Sequence, residues 1–271
     1  MAEIYRAAGI VYPPGWRVDG PDELRGAAAA FGLPLVLKPD TGAGAASTFA
    51  VRTPEELARA AERPLRGYLA QPFIEGDIVT FDGLTNADGD IVFFTSHEYD
   101  TGIMQVLTGR LDGHYYSHRD VPAELERLGR RAVAAFDVRE RFFHAEFFRR
   151  PDGSYVALEM NLRPPGGFTP DMMNYACDFD VYDLWAGVVT GERWRGFAYE
   201  RKYHVAHAGR RRDRAYRRSH DELVRALGDT IVVHRPVPRE FSATMGDDLY
   251  LLRHPDLGAL REAIALVQGA A

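Results

Sequence analysis

An α+β fold of two unlike halves is predicted by three features of this 271-residue sequence. The first 74 residues alternate helical and strand patterns around a loop of small residues; from Ile78 the pattern becomes hairpins of β-branched and aromatic residues; and one hairpin sets two glutamates face to face. With 46% hydrophobic and 27% charged residues the chain can bury a core, which excludes a disordered protein. A formal net charge of -6 leaves no general footprint for nucleic acid, so the local run Arg210, Arg211, Arg212, Arg214, Arg217 and Arg218 is read as a solvated face. The single cysteine, Cys177, cannot close an intrachain disulfide. With no charged-then-apolar leader and no long apolar stretch, a cytoplasmic protein without a membrane partner is expected.

The elements follow in chain order. Residues 21 to 32 read as a helix, with Pro21, Asp22 and Glu23 at its start and Gly32 at its end. The apolar run Leu33 to Leu37 reads as a strand that delivers Lys38, and Thr48 to Val51 as its short partner beyond the small-residue loop. Thr53-Pro54-Glu55-Glu56 opens the next helix, and Tyr68 to Phe73 is a strand that breaks at Glu75-Gly76-Asp77. Ile78 to Leu84 and Ile91 to Tyr99 form a hairpin around Ala87-Asp88-Gly89-Asp90, followed by an amphipathic helix over Pro122 to Phe136. Arg141 to Phe148 and Ser154 to Leu162 form the carboxylate hairpin. Tyr182 to Val189 reads as a helix stopped by Gly191, and the tail from about Arg201 alternates short strands with a closing helix over Leu257 to Val267.

Chemistry concentrates at two places. If Asp152-Gly153 is a two-residue hairpin loop, Glu146 sits opposite Glu159 and His144 opposite Asn161. Facing like charges destabilise a strand pair. With Asn161 two residues further along the same face, they make oxygen ligands for a hard divalent cation, magnesium in the first instance and manganese as the alternative. Arg163 extends the row if the strand continues, where a guanidinium suits negative charge developing on a transferred phosphoryl group. The second place is Lys38 with Gly42, Gly44 and Ser47, a lysine before a loop rich in backbone donors that can fold over polyphosphate. The glycines of Pro164 to Met173 allow a backbone to approach a ligand, or the segment is a crossover into the next helix.

Together these residues resemble the ATP-grasp superfamily over roughly residues 1 to 195. Leu35-Val36-Leu37-Lys38-Pro39 and the small-residue loop resemble the family's second ATP lysine and phosphate loop. Leu69 to Gly76 resembles the hinge whose backbone holds adenine, with Gln71, Phe73, Ile74 and Glu75 as nucleotide contacts and Glu75 or Asp77 standing in for the ribose ligand. His144-Ala145-Glu146-Phe147 and Leu158 to Pro164 resemble the metal-binding strands and the catalytic arginine. The resemblance implies ATP sandwiched between two α+β subdomains: a lid at 1–74, a metal-binding subdomain at 75–195, and a C-terminal extension at 196–271 packing on the core.

What the resemblance implies for activity is an ATP- and magnesium-dependent carbon-nitrogen ligase. It activates a small-molecule carboxylate as an acyl phosphate for attack by an amine, with Arg163 and Lys38 catalytic and Glu146, Glu159 and Asn161 on the metal. The family carries a preceding Rossmann-like subdomain and a first ATP lysine upstream of a segment like Tyr5 to Ile10, so the sequence is expected to lack that part. A homo-oligomer, a split or truncated ligase, and a nucleotide-binding module with little catalysis are the alternatives; nucleic-acid binding is not expected.

Overall fold

The computed structural model describes residues 1–40, 47–100, 111–191 and 195–270. Two antiparallel sheets organise them. The smaller has the order β1 (Trp16–Val18), β4 (Tyr68–Pro72), β2 (Leu35–Pro39), β3 (Phe49–Val51). Two helices pack on it, α2 (Pro21–Phe31) and α3 (Pro54–Ala61), burying Leu24, Ala27 and Ala60 against Val18, Leu35, Leu37 and Ala70. Their ends are written in the sequence. Pro21 opens α2, Gly32 ends it at φ 76°, and Thr53 caps α3 by accepting the Glu56 N–H at 3.2 Å.

The larger sheet has nine strands. Its path is β10 (Tyr155–Asn161), β9 (Phe142–Arg149), β5 (Asp77–Thr85), β7 (His97–Tyr99), β8 (His114–Ser117), β11 (His204–Arg210), β13 (Asp248–His254) and β12 (Ile231–Pro236), with β6 (Ile91–Thr95) paired to β5. One face carries Val79, Phe81, Ala145 and Phe147 and is covered by α4 (Ala123–Ala135). Gly129 of α4 is needed there, because a Cβ would stand 2.3 Å from the Phe81 ring. Further along, α7 (His220–Leu227) and α8 (Leu257–Gln268) bury Leu223, Leu260 and Ile264 against Tyr116 and Tyr250. The opposite face is covered by α5 (Thr169–Cys177) and α6 (Val181–Thr190), through Met172, Met173 and Leu184 against Leu84, Phe142 and Leu251.

Several placements differ from the sequence reading. Residues 2–12, grouped with the lid on sequence grounds, pack on the large sheet: α1 (Ala2–Ala7) brings Tyr5, and the chain after it Ile10, into the core beside Phe81 and Leu125. The C-terminal strands extend the large sheet edge to edge, since β11 pairs with β8. Pro164 to Phe168 is a loop, but α5 begins at Thr169. The arginine run is not a solvated face throughout. Arg210 and Arg211 are buried, Arg210 donating to the Val267 carbonyl at 2.6 Å and Arg211 to the carbonyls of Leu111, Ser242 and Ala243. Arg212 pairs with Asp248 and Arg214 with Asp112. Among the described residues no helix is long and apolar enough to cross a membrane.

Candidate functional site

The carboxylate pair forms as expected, by a different route. The hairpin loop has three residues, Pro151 to Gly153, closed by Arg150 N–H to the Ser154 carbonyl at 2.8 Å and Gly153 N–H to the Arg150 carbonyl at 2.9 Å. Gly153 adopts φ 80°, the left-handed conformation such a loop requires. That loop pairs Tyr155 with Arg149 and would put Glu159 out of step, but a β-bulge between Ala157 and Glu159 inserts one residue. Beyond it Glu159 lies opposite Glu146 and Asn161 opposite His144. The bulge is anchored from outside the hairpin, the Ala157 N–H donating to the Val11 carbonyl at 2.8 Å.

On the next strand Thr80 lies opposite Glu146 and Asp82 opposite His144, so these side chains share one face of the sheet. Lys38 lies near the end of β2 in the lid, within electrostatic reach of Glu159 and Glu146. Burial lowers its pKa, and the attraction of Glu159 and Glu146 opposes that shift. Burial raises the pKa of Tyr12, Gln71 opposes that shift and Glu159 adds to it. Asn161 has a buried amide nitrogen without a hydrogen-bond partner among the described residues, and amide oxygen and nitrogen exchange by a simple flip.

The remaining expected residues are less convergent. Strand β10 ends at Asn161, so Arg163 does not extend the row; it sits in an exposed bend, donating to the Pro164 carbonyl at 2.9 Å. Gln71 is buried in β4, its amide 3.4 Å from the Pro13 carbonyl, and the Phe73 N–H is taken by the Pro34 carbonyl at 3.0 Å. Ile74 is half-buried and Glu75 exposed in the connection to β5. Asp77 does not belong to the carboxylate face: it opens β5 opposite Arg149 and pairs with it at 3.0 Å, on the side of Val79 and Phe81. Ser47 is exposed at φ 65°, whereas Gly42 and Gly44 lie outside the described residues.

The sequence reading missed what stands behind the pair. Asp82 is fully buried and holds His97 Nδ1 at 2.7 Å and His144 Nδ1 at 2.5 Å, while His144 Nε2 reaches Glu146 Oε1 at 3.1 Å. Burial pushes the His144 pKa down, but the Asp82 carboxylate and the bonds to Asp82 and Glu146 prevail and raise it to about 10. The available signal was Thr80 and Asp82, two polar residues on one side of an apolar strand. Further along that face, His207 lies buried between the rings of Tyr115 and Phe168, with both ring nitrogens lacking a hydrogen-bond partner among the described residues. Burial and His114 push its pKa down to about 4.

Two carboxylates and an amide are oxygen donors suited to a hard cation, and the buried unpartnered amide of Asn161 fits such a ligand set. Among the described residues no three His, Cys, Asp or Glu side chains form a metal cage. The donors present fit a magnesium ion that takes one or two protein carboxylates and completes its shell with phosphate oxygens and water.

No protein-family profile matches the chain, and no curated protein matches its sequence. Its fold is shared with solved structures. Carboxyaminoimidazole ribonucleotide synthase from Aspergillus clavatus, complexed with ATP, superposes at a TM-score of 0.73 with 18% identity, over 97% of this chain and 69% of that one. The L-amino acid ligase from Bacillus licheniformis gives 0.72 with 15% identity, over 98% and 68%. N5-carboxyaminoimidazole ribonucleotide synthetase from Thermus thermophilus gives 0.71 with 20% identity, over 97% and 69%.

Proposed function

We propose that this chain, which has the ATP-grasp fold, is an ATP-dependent ligase that joins a small-molecule carboxylate to an amine. The observation that carries the reading is the facing pair Glu146 and Glu159 with Lys38 set against it from the lid. Repulsion between two carboxylates is tolerated in a fold where a cation relieves it, and an ammonium within electrostatic reach of both defines a slot for a polyphosphate. Structures of the same fold carry ADP or ATP, which supports the nucleotide.

In this reading Lys38 would hold phosphate oxygens, while Glu146, Glu159 and Asn161 would hold magnesium. The ion, when bound, neutralises charge on the transferred phosphoryl group. A carboxylate oxygen of the substrate attacks the γ-phosphorus and ADP leaves with the electrons of the broken P–O bond. The amine nitrogen then attacks the acyl carbon, phosphate departs, and the amine loses a proton. Arg163, exposed just past the strand end, has guanidinium donors free to follow charge onto the acyl phosphate. The loop Pro164 to Phe168 and the start of α5 line the acceptor side, where Arg235 lies over the Phe168 ring at 4.7 Å.

The test is ADP release from ATP and magnesium with pools of carboxylates and amines. Release that requires both pools is expected. Binding of ATP without carboxylate-dependent release would instead favour a nucleotide-binding module.

A further inference from the structure

Asp82 has no exposed surface, and a carboxylate in that position is costly unless its lone pairs are matched. They are matched by Thr80 Oγ1, His97 Nδ1 and His144 Nδ1. The far side of His144 meets Glu146 Oε1 at 3.1 Å. Both ring nitrogens of His144 therefore face carboxylate oxygens, Nδ1 that of Asp82 and Nε2 that of Glu146. Held by charge-assisted bonds at each end, the ring cannot turn without breaking one of them. Pinning β5 to β9 does not require this arrangement, because the two strands are already paired from Asp77 to Leu84.

We propose that Asp82 and His144 are positioning residues for the metal site: His144 takes one oxygen of Glu146 and leaves the other for the cation, and Asp82 fixes the ring that does so. The inference rests on the metal reading of Glu146 and Glu159. Partners that orient a metal ligand typically change metal affinity about 10- to 100-fold when removed. Such a loss is expected for either residue, and the two losses should not multiply, because Asp82 acts through His144.

Binding of Mn²⁺ can be read from the electron paramagnetic resonance signal of the free ion, with and without ADP. The variants are Glu146→Gln, His144→Phe, His144→Gln, Asp82→Asn and the Asp82→Asn/His144→Phe double. His144→Phe should bind Mn²⁺ about 10- to 100-fold more weakly than the parent chain. His144→Gln, which keeps one donor toward Glu146, should lose less. The double variant should be no weaker than His144→Phe, and ADP affinity without metal should be unchanged in the His144 and Asp82 variants. Parental Mn²⁺ affinity in His144→Phe, equal losses for Phe and Gln, or a double variant whose loss is the product of the singles would each overturn the proposal. Should Asp82→Asn not fold, the comparison of Phe with Gln at His144 decides alone. Parental affinity in Glu146→Gln would remove the metal assignment itself; a loss there with none at His144 removes only the positioning role.

Discussion

Glu146 and Glu159 face each other but are not equivalent, and the difference predicts unequal effects on stability. Replacing either by Gln relieves the cross-strand repulsion, which contributes about 0.2 to 1 kcal/mol. Either replacement also removes attraction to Lys38. Only Glu146 accepts from His144; Glu159 has no such hydrogen bond among the described residues. A bond to a charged group is worth about 1.5 to 3 kcal/mol and a neutral one about 0.5 to 1.5, so Glu146→Gln loses about 1 kcal/mol that Glu159→Gln does not. For a chain of this size about 1 kcal/mol moves Tm by roughly 2 to 4 °C. Thermal unfolding followed by circular dichroism should therefore place Glu159→Gln above Glu146→Gln by that interval, while both variants lose magnesium-dependent ATP turnover. Equal Tm values, or the reverse order, would refute the claim that His144 is bonded to Glu146 alone.

Three further outcomes are expected. Lys38→Met should weaken ATP binding by about ten- to a hundred-fold in calorimetry, the value of a charge-assisted phosphate contact of about 1.5 to 3 kcal/mol; unchanged affinity would remove Lys38 from the phosphate site. His207 has a folded pKa pushed down to about 4 from an ordinary 6.5, so the unfolded chain binds the extra proton in that window. Its contribution is fully present above pH 6.5 and is lost as pH falls through 4; His207→Phe, which keeps the stack on Tyr115 and Phe168, should flatten this part of the stability profile, and an unchanged profile would contradict the burial argument. Arg211→Ala should destabilise by about 2 to 4 kcal/mol in denaturant unfolding, because it abandons the carbonyls of Leu111, Ser242 and Ala243; a change near zero would mean that water replaces it.

Legibility in the sequence followed locality. The lid helices announced themselves through Pro21, Gly32 and Thr53, whose effects act within a turn of the chain. The facing glutamates were foreseen although two local details were not: a three-residue loop and a bulge at Leu158 shift the register by one residue each, and the shifts compensate. The bulge depends on Val11, far away in sequence, and so could not be read from the hairpin itself. The Asp82–His144–Glu146 chain needs the pairing of β5 with β9, some sixty residues apart, and no periodicity within either strand reveals it. Strands β1 and β8, of three and four residues, are too short for an alternation to stand out. The arginine run misled because a row of like charges says nothing about distant backbone carbonyls that fold around it.

If the facing carboxylates serve formation of an acyl phosphate, an oxygen of the substrate carboxylate ends in the phosphate released, and isotope transfer follows it. The chain would be incubated with ATP, magnesium, a pool of carboxylates labelled with ¹⁸O and a pool of amines, and the inorganic phosphate released would be analysed by mass spectrometry. If a carboxylate oxygen attacks the γ-phosphorus, one ¹⁸O appears in each phosphate released, and Glu159→Gln abolishes the signal. Phosphate released at the same rate without ¹⁸O would mean that water attacks the nucleotide, and the ligase reading would fall.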